Sequence, residues 1–413
     1  AEHAEQGAMC QVRPAQRRDA DHKSDEGAIQ DSPGNQRRCV DNADTHPALP
    51  AHHSRRQAEQ RRAGQPLCIH HQTPPFFLVD KFLRMHGAAQ AAIMHRFIPC
   101  RTRTMSKGKP AEPRTVRDFV FWAERRFDKA GLYFGHGTDN ARDEAVWLVI
   151  SILHIPYDEL DAQTERHLNE AEQKAVRELV EARVRTHKPL AYLLHEAWFA
   201  GLKFYVDERV IVPRSLIGDF IHGQFQPWID PARVHRILDL CTGSGCIAIA
   251  AALAFPQARV DGADISADAL AVARTNVAQH GLGARVQLVQ SDLYQGLAGR
   301  RYDLILTNPP YVDAVDIAAL PVEDRHEPAL ALASGEHGLD AILHILAHAP
   351  AHLEPGGALV AEVGNSHVAL AARFPQVPFV WLTSASGDES VFLLSAGELA
   401  RHGGCFAAAA RRA

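Results

Sequence analysis

The sequence predicts an α/β protein: a doubly wound, mostly parallel sheet preceded by a small all-helical domain. Three observations carry that expectation. From Arg236 onward, short apolar strands alternate with helical segments of about 10–15 residues, which is the pattern of a parallel sheet. The first strand, "RILDL", runs straight into a glycine-rich turn and then an apolar helix, "CIAIAAALAF". Between residues 112 and 188, by contrast, apolar residues recur with the helical period and no strand pattern intervenes.

The helical part is legible residue by residue. Val116, Phe119, Val120, Ala123 and Phe127 share one face, with Thr115 as the expected N-cap. Ala145, Leu148, Val149, Ile152 and Leu153 define a second helix. Asn169, with Glu172 three residues on, opens a third that carries Val176, Leu179, Val180 and Val184. Trp122, Phe127 and Trp147 read as the core of this domain. The alternation in "LKFYVDERVIV" then predicts a β-hairpin, and "VPRS" before a short helix is on its own compatible with a mere linker carrying a solvated arginine.

The alternating part follows. "RILDL" gives the first strand and "ARVDGADI" the second, followed by a helix capped by Ser266 and closed by Gly281. "ARVQLVQSDL", "RYDLILTNPP" and "GALVAEVG" supply three more strands, with the helix "GLDAILHILAHAPAHL" before the last of them; "VPFVWL" and "ESVFLL" complete the pattern. The expected organisation is an extension over 1–104, a helical substrate domain over 105–200, a hairpin linker over 201–230, the sheet domain over 231–395 and a flexible tail over 396–413.

Composition is uneven along the 413 residues. Residues 1–104 hold 15 Lys/Arg against 11 Asp/Glu and 9 of the 24 His, whereas the remainder holds 29 against 38, a formal −9. The first stretch has no sustained period and few apolar residues, so it cannot bury enough surface to offset the entropy of ordering. "MSKGKPAEP" at Met105 reads as a natural start, and the residues before it as upstream sequence translated in frame. Only Cys241, Cys246 and Cys405 lie beyond Met105, which argues against a disulfide framework and for a reducing compartment. The cysteines and histidines show no regular metal-ligand spacing. No secretory signal pattern is visible and the longest apolar run is far short of a span, so a soluble cytoplasmic protein is expected.

Chemistry concentrates at the ends of the strands. In "DLCTGSGCIAIA", Gly243 and Gly245 let the backbone approach a ligand near a helix N-terminus. Gly243-x-Gly245-x-x-Ala248 also satisfies the dinucleotide fingerprint, so a dehydrogenase is the first rival. Asp264 closes the second strand, where a carboxylate can accept the hydroxyls of a ribose, and Asp292 follows the third, where it can accept an adenine amino group. The rivals part at "TNPPYV". Two prolines fix two φ angles, remove two donors and freeze the Asn308 and Pro309 carbonyls at the sheet's ligand-binding edge. A planar nitrogen has its lone pair spread into the π system and attacks a methyl sulfonium poorly. Acceptors that grip its two N–H groups hold it in line and favour the charge that develops there. The Asn308 side-chain oxygen and the Pro309 carbonyl are such a pair, Pro310 stiffens the turn, and Tyr311 can stack on the flat group.

From about Met105 to residue 395 the chain resembles the HemK/Prm family of protein-glutamine methyltransferases. The matching stretches are "KPLAYLL", "VPRS", "DLCTGSGCIAIA", "DISADALAVARTN", "TNPPYV", "EPALALASGEHGLD" and "PGGALVAEVG". "NPPY" alone is shared with adenine methyltransferases acting on DNA. The resemblance implies a class I S-adenosylmethionine-dependent methyltransferase, with a seven-stranded Rossmann-like sheet whose last hairpin adds an antiparallel strand. It implies that Thr242, Gly243 and Gly245 lie along the amino-acid part of S-adenosyl-L-methionine, with Asp239 and Ser244 also in the cofactor site. Asp264 would take its ribose, Asp292 and Leu293 its adenine, and Asn308, Pro309, Pro310 and Tyr311 the substrate glutamine, with Asn308 also touching the cofactor. Glu327 and Pro328 would order the loop covering the site, and Glu362 reads as structural. Cys241 in place of the more usual Gly, and "PRSLIG" in place of "PRP" followed by acidic residues, resemble the branch acting on the third large-subunit ribosomal protein, although Leu216 stands where that branch often has Pro. The implied partner is that protein, free or in an assembly intermediate, with a peptide-chain release factor as the alternative. A net −9 without a basic stripe opposes nucleic acid as substrate.

Overall fold

The computed structural model describes residues 112–412, and the stretch 1–104, read above as lying upstream of a start near Met105, falls outside them. Helix α1 (Val116–Ala130) opens with a reciprocal capping box between Thr115 and Asp118, and α2 (Ala141–Leu153) is capped by Asn140. After the short α3 (Leu160–Gln163), α4 (Glu170–Thr186) opens with a second capping box, Asn169 with Glu172. Each box satisfies two backbone donors that the first turn leaves free, so these starts are local properties of the sequence. Phe119, Phe127, Trp147 and Val180 are buried between these helices, and α5 (Leu190–Leu194) completes the group.

The core of this group does not stop at the helices. Val206, Val210 and Val212 from the connecting segment join it, as do Ala269 and Val272 from a helix of the sheet domain. The two predicted domains therefore share one continuous apolar core. The hairpin sits earlier than predicted: β1 (Ala197–Phe199) pairs antiparallel with β2 (Leu202–Phe204) around Ala200 and Gly201, both at positive φ. The alternation in "YVDERVIV" is instead that of an extended connector whose valines plug into the helical core.

After α6 (Ile217–Ile221) the sheet begins with β3 (Arg236–Leu240), α7 (Cys246–Ala254), β4 (Arg259–Asp264), α8 (Ala267–Gln279), β5 (Val286–Gln290) and β6 (Tyr302–Thr307). It continues through α9 (Ala314–Ala319), α10 (Asp340–His352), β7 (Leu353–Glu362), α11 (His367–Arg373), β8 (Val380–Leu382) and β9 (Val391–Ser395). The seven strands lie in the order β5-β4-β3-β6-β7-β9-β8. The first five are mutually parallel, and β9 is antiparallel to both of its neighbours. Strand order reverses at β3, between β4 and β6, and such a switch point opens a crevice at the carboxyl ends of the strands.

The expected flexible tail is a helix. Residues Ala396–Ala410 form α12, opened by a capping box between Ser395 and Glu398, with Leu399 and Phe406 fully buried against the sheet. Burying those two side chains contributes roughly 3–6 kcal/mol, enough to hold a helix that contains the Gly403-Gly404 pair. No helix among the described residues is long and apolar enough to cross a membrane.

Candidate active site

Register places three predicted residues side by side. Leu240 of β3 is aligned with Ala263 of β4 and with Thr307 of β6, so Cys241, Asp264 and Asn308 follow at one level on three adjacent strands. Strands are about 4.8 Å apart, which brings the turn, the acid and the amide to one edge. The buried Thr307 hydroxyl donates to the Leu240 carbonyl at 2.8 Å and fastens β6 to β3 just below them.

The turn is held in an unusual conformation. Cys241, Gly243 and Gly245 all adopt positive φ (63°, 54° and 81°). At Gly245 a Cβ would stand 3.2 Å from the Ala273 Cβ, so α8 packs there only on a glycine. At Gly243 a Cβ would meet nothing within 4 Å: the space in front of this backbone is open. Cys241 takes the left-handed conformation with a side chain, at a cost of about 1–2 kcal/mol, and burial pushes its thiol well above its ordinary range. Asp239 corrects an expectation. It is fully buried beneath the turn, where its Oδ2 accepts the Thr242 hydroxyl and the Ala248 amide (2.9 Å), so it braces the turn instead of fronting the crevice. Burial pushes its carboxyl up to about 7.

Asp264 spans the crevice wall. Its Oδ2 accepts the Gly243 amide at 2.8 Å and its Oδ1 the Ser266 amide at 2.9 Å, while burial pushes its carboxyl up. Asp292 is exposed after β5, its carboxylate accepting the Gln295 side chain (2.8 Å) and its carbonyl the Gln295 amide, and Leu293 beside it is half-buried at positive φ. Asn276, on α8, was not singled out from sequence. Fully buried, it donates to the Ser244 carbonyl (2.9 Å) and exchanges two bonds with the backbone of Tyr205, tying the turn to the connector. An asparagine inside a helix, at the end of "ARTN", was its only signal.

At the "NPPY" turn, the Asn308 side-chain oxygen is buried and has no hydrogen-bond partner. Such an orphan costs about 1–3 kcal/mol. Tyr311 lies flat on Gly364: a Cβ there would stand 2.4 Å from its ring. The Tyr311 hydroxyl, pushed up by burial and by the neighbouring Glu362, donates to Glu362 at 3.4 Å. Glu362, itself buried and raised by that burial, accepts the Ser215 hydroxyl (2.6 Å) and the Leu216 amide (2.9 Å). "VPRS" is thus no free linker, because Ser215 is fastened to the residue beside Tyr311.

The segment after the turn packs its acids inward. Glu323, Asp324 and Glu327 are all buried. Both Glu327 oxygens accept the Arg214 guanidinium at 2.6 Å, and Oε1 also takes the Val212 amide. Glu323 takes the Tyr133 amide, His187 and the fully buried Arg183, whose Nε donates to Glu144 at 2.8 Å. Burial alone would raise Glu323, but those donors hold it below the usual carboxylate range. His136 Nε2 lies 3.0 Å from Asp324 and 3.9 Å from Glu327, whose two oxygens are already taken by Arg214.

A glycine turn between β3 and its helix, an acid ending β4 and a reversed β9 together define a class I S-adenosylmethionine-dependent methyltransferase. Residues 120–194 match the family model described as "PrmC N-terminal domain", and residues 227–323 that described as "Methyltransferase small domain". The "Ribosomal protein uL3 glutamine methyltransferase" of Neisseria gonorrhoeae is 50% identical over 286 residues, which cover 69% of this chain and 95% of that protein. Its namesake from Burkholderia pseudomallei is 49% identical over 298 residues, covering 70% and 97%. A solved methyltransferase from Pyrococcus furiosus is a remote likeness, 18% identical at TM-score 0.35, covering 52% of this chain and 96% of that one. The chain belongs to the HemK/Prm family of protein-glutamine methyltransferases.

Proposed function

We propose that this enzyme methylates the side-chain amide nitrogen of a glutamine in ribosomal protein uL3, in the cytoplasm. The observation that carries the chemistry is the buried, unpartnered oxygen of Asn308. An acceptor left empty at a cost is matched by one N–H of an incoming carboxamide, and the Pro309 carbonyl takes the other. Tyr311, backed by Gly364 and tethered to Glu362, covers the flat face of the amide. The proteins named for uL3 that match across 95% and 97% of their own length support the substrate.

The cofactor supplies an electrophilic methyl group on a sulfonium. The residues fit it on two counts: the open space before Gly243 admits a ligand against the backbone, and the Asp264 carboxylate, bonded to that turn through Gly243, accepts one amide on each oxygen and so keeps lone pairs for further donors. Thr242, Gly243, Ser244 and Gly245 would lie along its amino-acid part, Asp264 on its ribose, and Asp292 and Leu293 at its adenine. Asp239 and Asn276 act through the turn by holding its shape. The Asn308–Pro309 pair would orient the amide lone pair and favour the charge on nitrogen; the methyl's bond to sulfur would be exchanged for one to nitrogen, and the surplus N–H proton would leave to water.

The test supplies the enzyme and radiolabelled S-adenosylmethionine to an extract from cells lacking this methylation. Label in uL3 at a glutamine supports the proposal. Label in a peptide-chain release factor would keep the mechanism and overturn the substrate.

A further inference from the structure

At the opposite end of the same strands the chain gathers a row of arginines. Arg236 is the first residue of β3, Arg259 the first of β4, Arg285 immediately precedes β5, and Arg300 and Arg301 precede β6. Because the sheet order is β5-β4-β3-β6, these side chains stand on four consecutive strands, about three strand spacings or roughly 14 Å in all. Arg236, Arg259, Arg285 and Arg300 are 15 to 26 residues apart along the chain, with Arg301 beside the last, so no longer basic run marks them in the sequence. Register gathers at one edge basic residues that the sequence scatters.

Arg236 and Arg259 are direct register partners, both exposed. Like charges on adjacent partners are destabilising. Among the described residues neither belongs to an ion pair, whereas the neighbouring Arg300 is neutralised by Asp261 at 2.8 Å. Asp303, another acid at this edge, is occupied by the backbone amides of His235 and Arg236. Arg285 donates to the Phe255 and Pro256 carbonyls just past α7, and the Arg236 guanidinium lies over the Tyr302 ring at 5.4 Å. Arg236, Arg259, Arg285 and Arg300 open on one cavity of about 630 Å³. A like-charged pair left without carboxylates, beside a cavity and steered by an aromatic ring, is what an anionic ligand with repeated charges would neutralise.

We propose that this edge binds the phosphodiester backbone of RNA without reading its sequence. Guanidinium groups match phosphate oxygens bidentately, and a row crossing four strands suits a run of phosphates better than one small anion. The site is independent of the methyl-transfer reading. If that reading holds, the edge would let the enzyme engage uL3 in the company of ribosomal RNA.

The experiment measures binding of a fluorescein-labelled oligouridylate to the full chain by anisotropy across a salt series, without cofactor or protein substrate. The parent should bind with log K falling by about 0.7 per contacted phosphate for each decade of salt. The pair Arg236→Gln/Arg259→Gln should weaken binding about ten-fold or more and flatten that slope by about 1.4. Arg236→Lys/Arg259→Lys, which keeps both charges, should retain the slope. Methylation of isolated protein substrate should be unchanged in either variant. Equal RNA affinity in the parent and the glutamine pair would overturn the proposal, as would binding by the parent that does not respond to salt. Parent binding of inorganic phosphate with none of RNA would do the same.

Discussion

Arg214 and Glu327 meet 113 residues apart in the chain, each guanidinium nitrogen 2.6 Å from a separate carboxylate oxygen. The pair fastens the connector from the helical domain to the segment that follows the "NPPY" turn. Its two halves are unequal: the Glu327 side chain is fully buried, while 30% of Arg214 remains exposed. Arg214→Ala should therefore destabilise by about 3–5 kcal/mol, since it strands a buried charge. Glu327→Gln, which leaves a partly solvated cation, should cost about 1–3 kcal/mol. Denaturant unfolding of both variants checks the asymmetry.

Asn308→Ala should leave cofactor affinity nearly intact and lower the chemical step by roughly 10²–10³, the scale of losing one preorganised polar contact. Because the Asn308 oxygen is orphaned in the free enzyme, the variant should be no less stable than the parent. Single-turnover rates and thermal unfolding, taken together, test both halves.

Asp264→Ala should act on the other ligand. It removes the acceptor of the Gly243 and Ser266 amides and the group assigned to the ribose. Calorimetric titration with S-adenosylhomocysteine should show affinity falling by about ten-fold or more, the worth of a charged hydrogen bond; unchanged affinity would remove Asp264 from the cofactor site.

Gly364→Ala should displace Tyr311, because the new methyl would stand 2.4 Å from its ring and the residue already has positive φ. The expected signature is a large loss of turnover with cofactor affinity retained, measured by the same single-turnover assay and titration.

Asp239 predicts a pH effect. Its folded-state carboxyl is raised to about 7 from an ordinary 3.8, so the folded chain holds a proton that the unfolded chain has released. Its contribution to stability is full below about pH 4 and is lost as pH rises towards 7. Asp239→Asn should remove that part of the decline, so the difference in stability between variant and parent should shift in the variant's favour between pH 4 and 7. Parallel stability–pH curves would contradict the burial argument.

What was legible in the sequence was local. Thr115, Asn169 and Ser266 cap their helices as read, because an N-cap bond closes within three residues. Strand and helix alternation is likewise a property of short windows, and the rigid Asn308–Tyr311 turn announces itself by composition. The tail was misread because Gly403 and Gly404 mask helical propensity, although Ser395 and Glu398 spell a capping box and Leu399 and Phe406 are spaced as one face.

The rest depended on partners far away in the chain. Arg183 is buried only because Glu144 and Glu323 arrive from other elements, 39 and 140 residues away. Asp239 looks like a ligand-binding acid until the Thr242 and Ala248 donors fold over it. The arginine edge exists only once four strands are in register.

The most direct test of the amide clamp incubates purified uL3 and S-adenosylmethionine with the parent enzyme and with Asn308→Ala, then maps the modified residue by mass spectrometry. The account predicts one methyl group on a glutamine side-chain amide with the parent, and almost none with the variant. A methyl group on a lysine or a carboxylate, or full modification by Asn308→Ala, would contradict it.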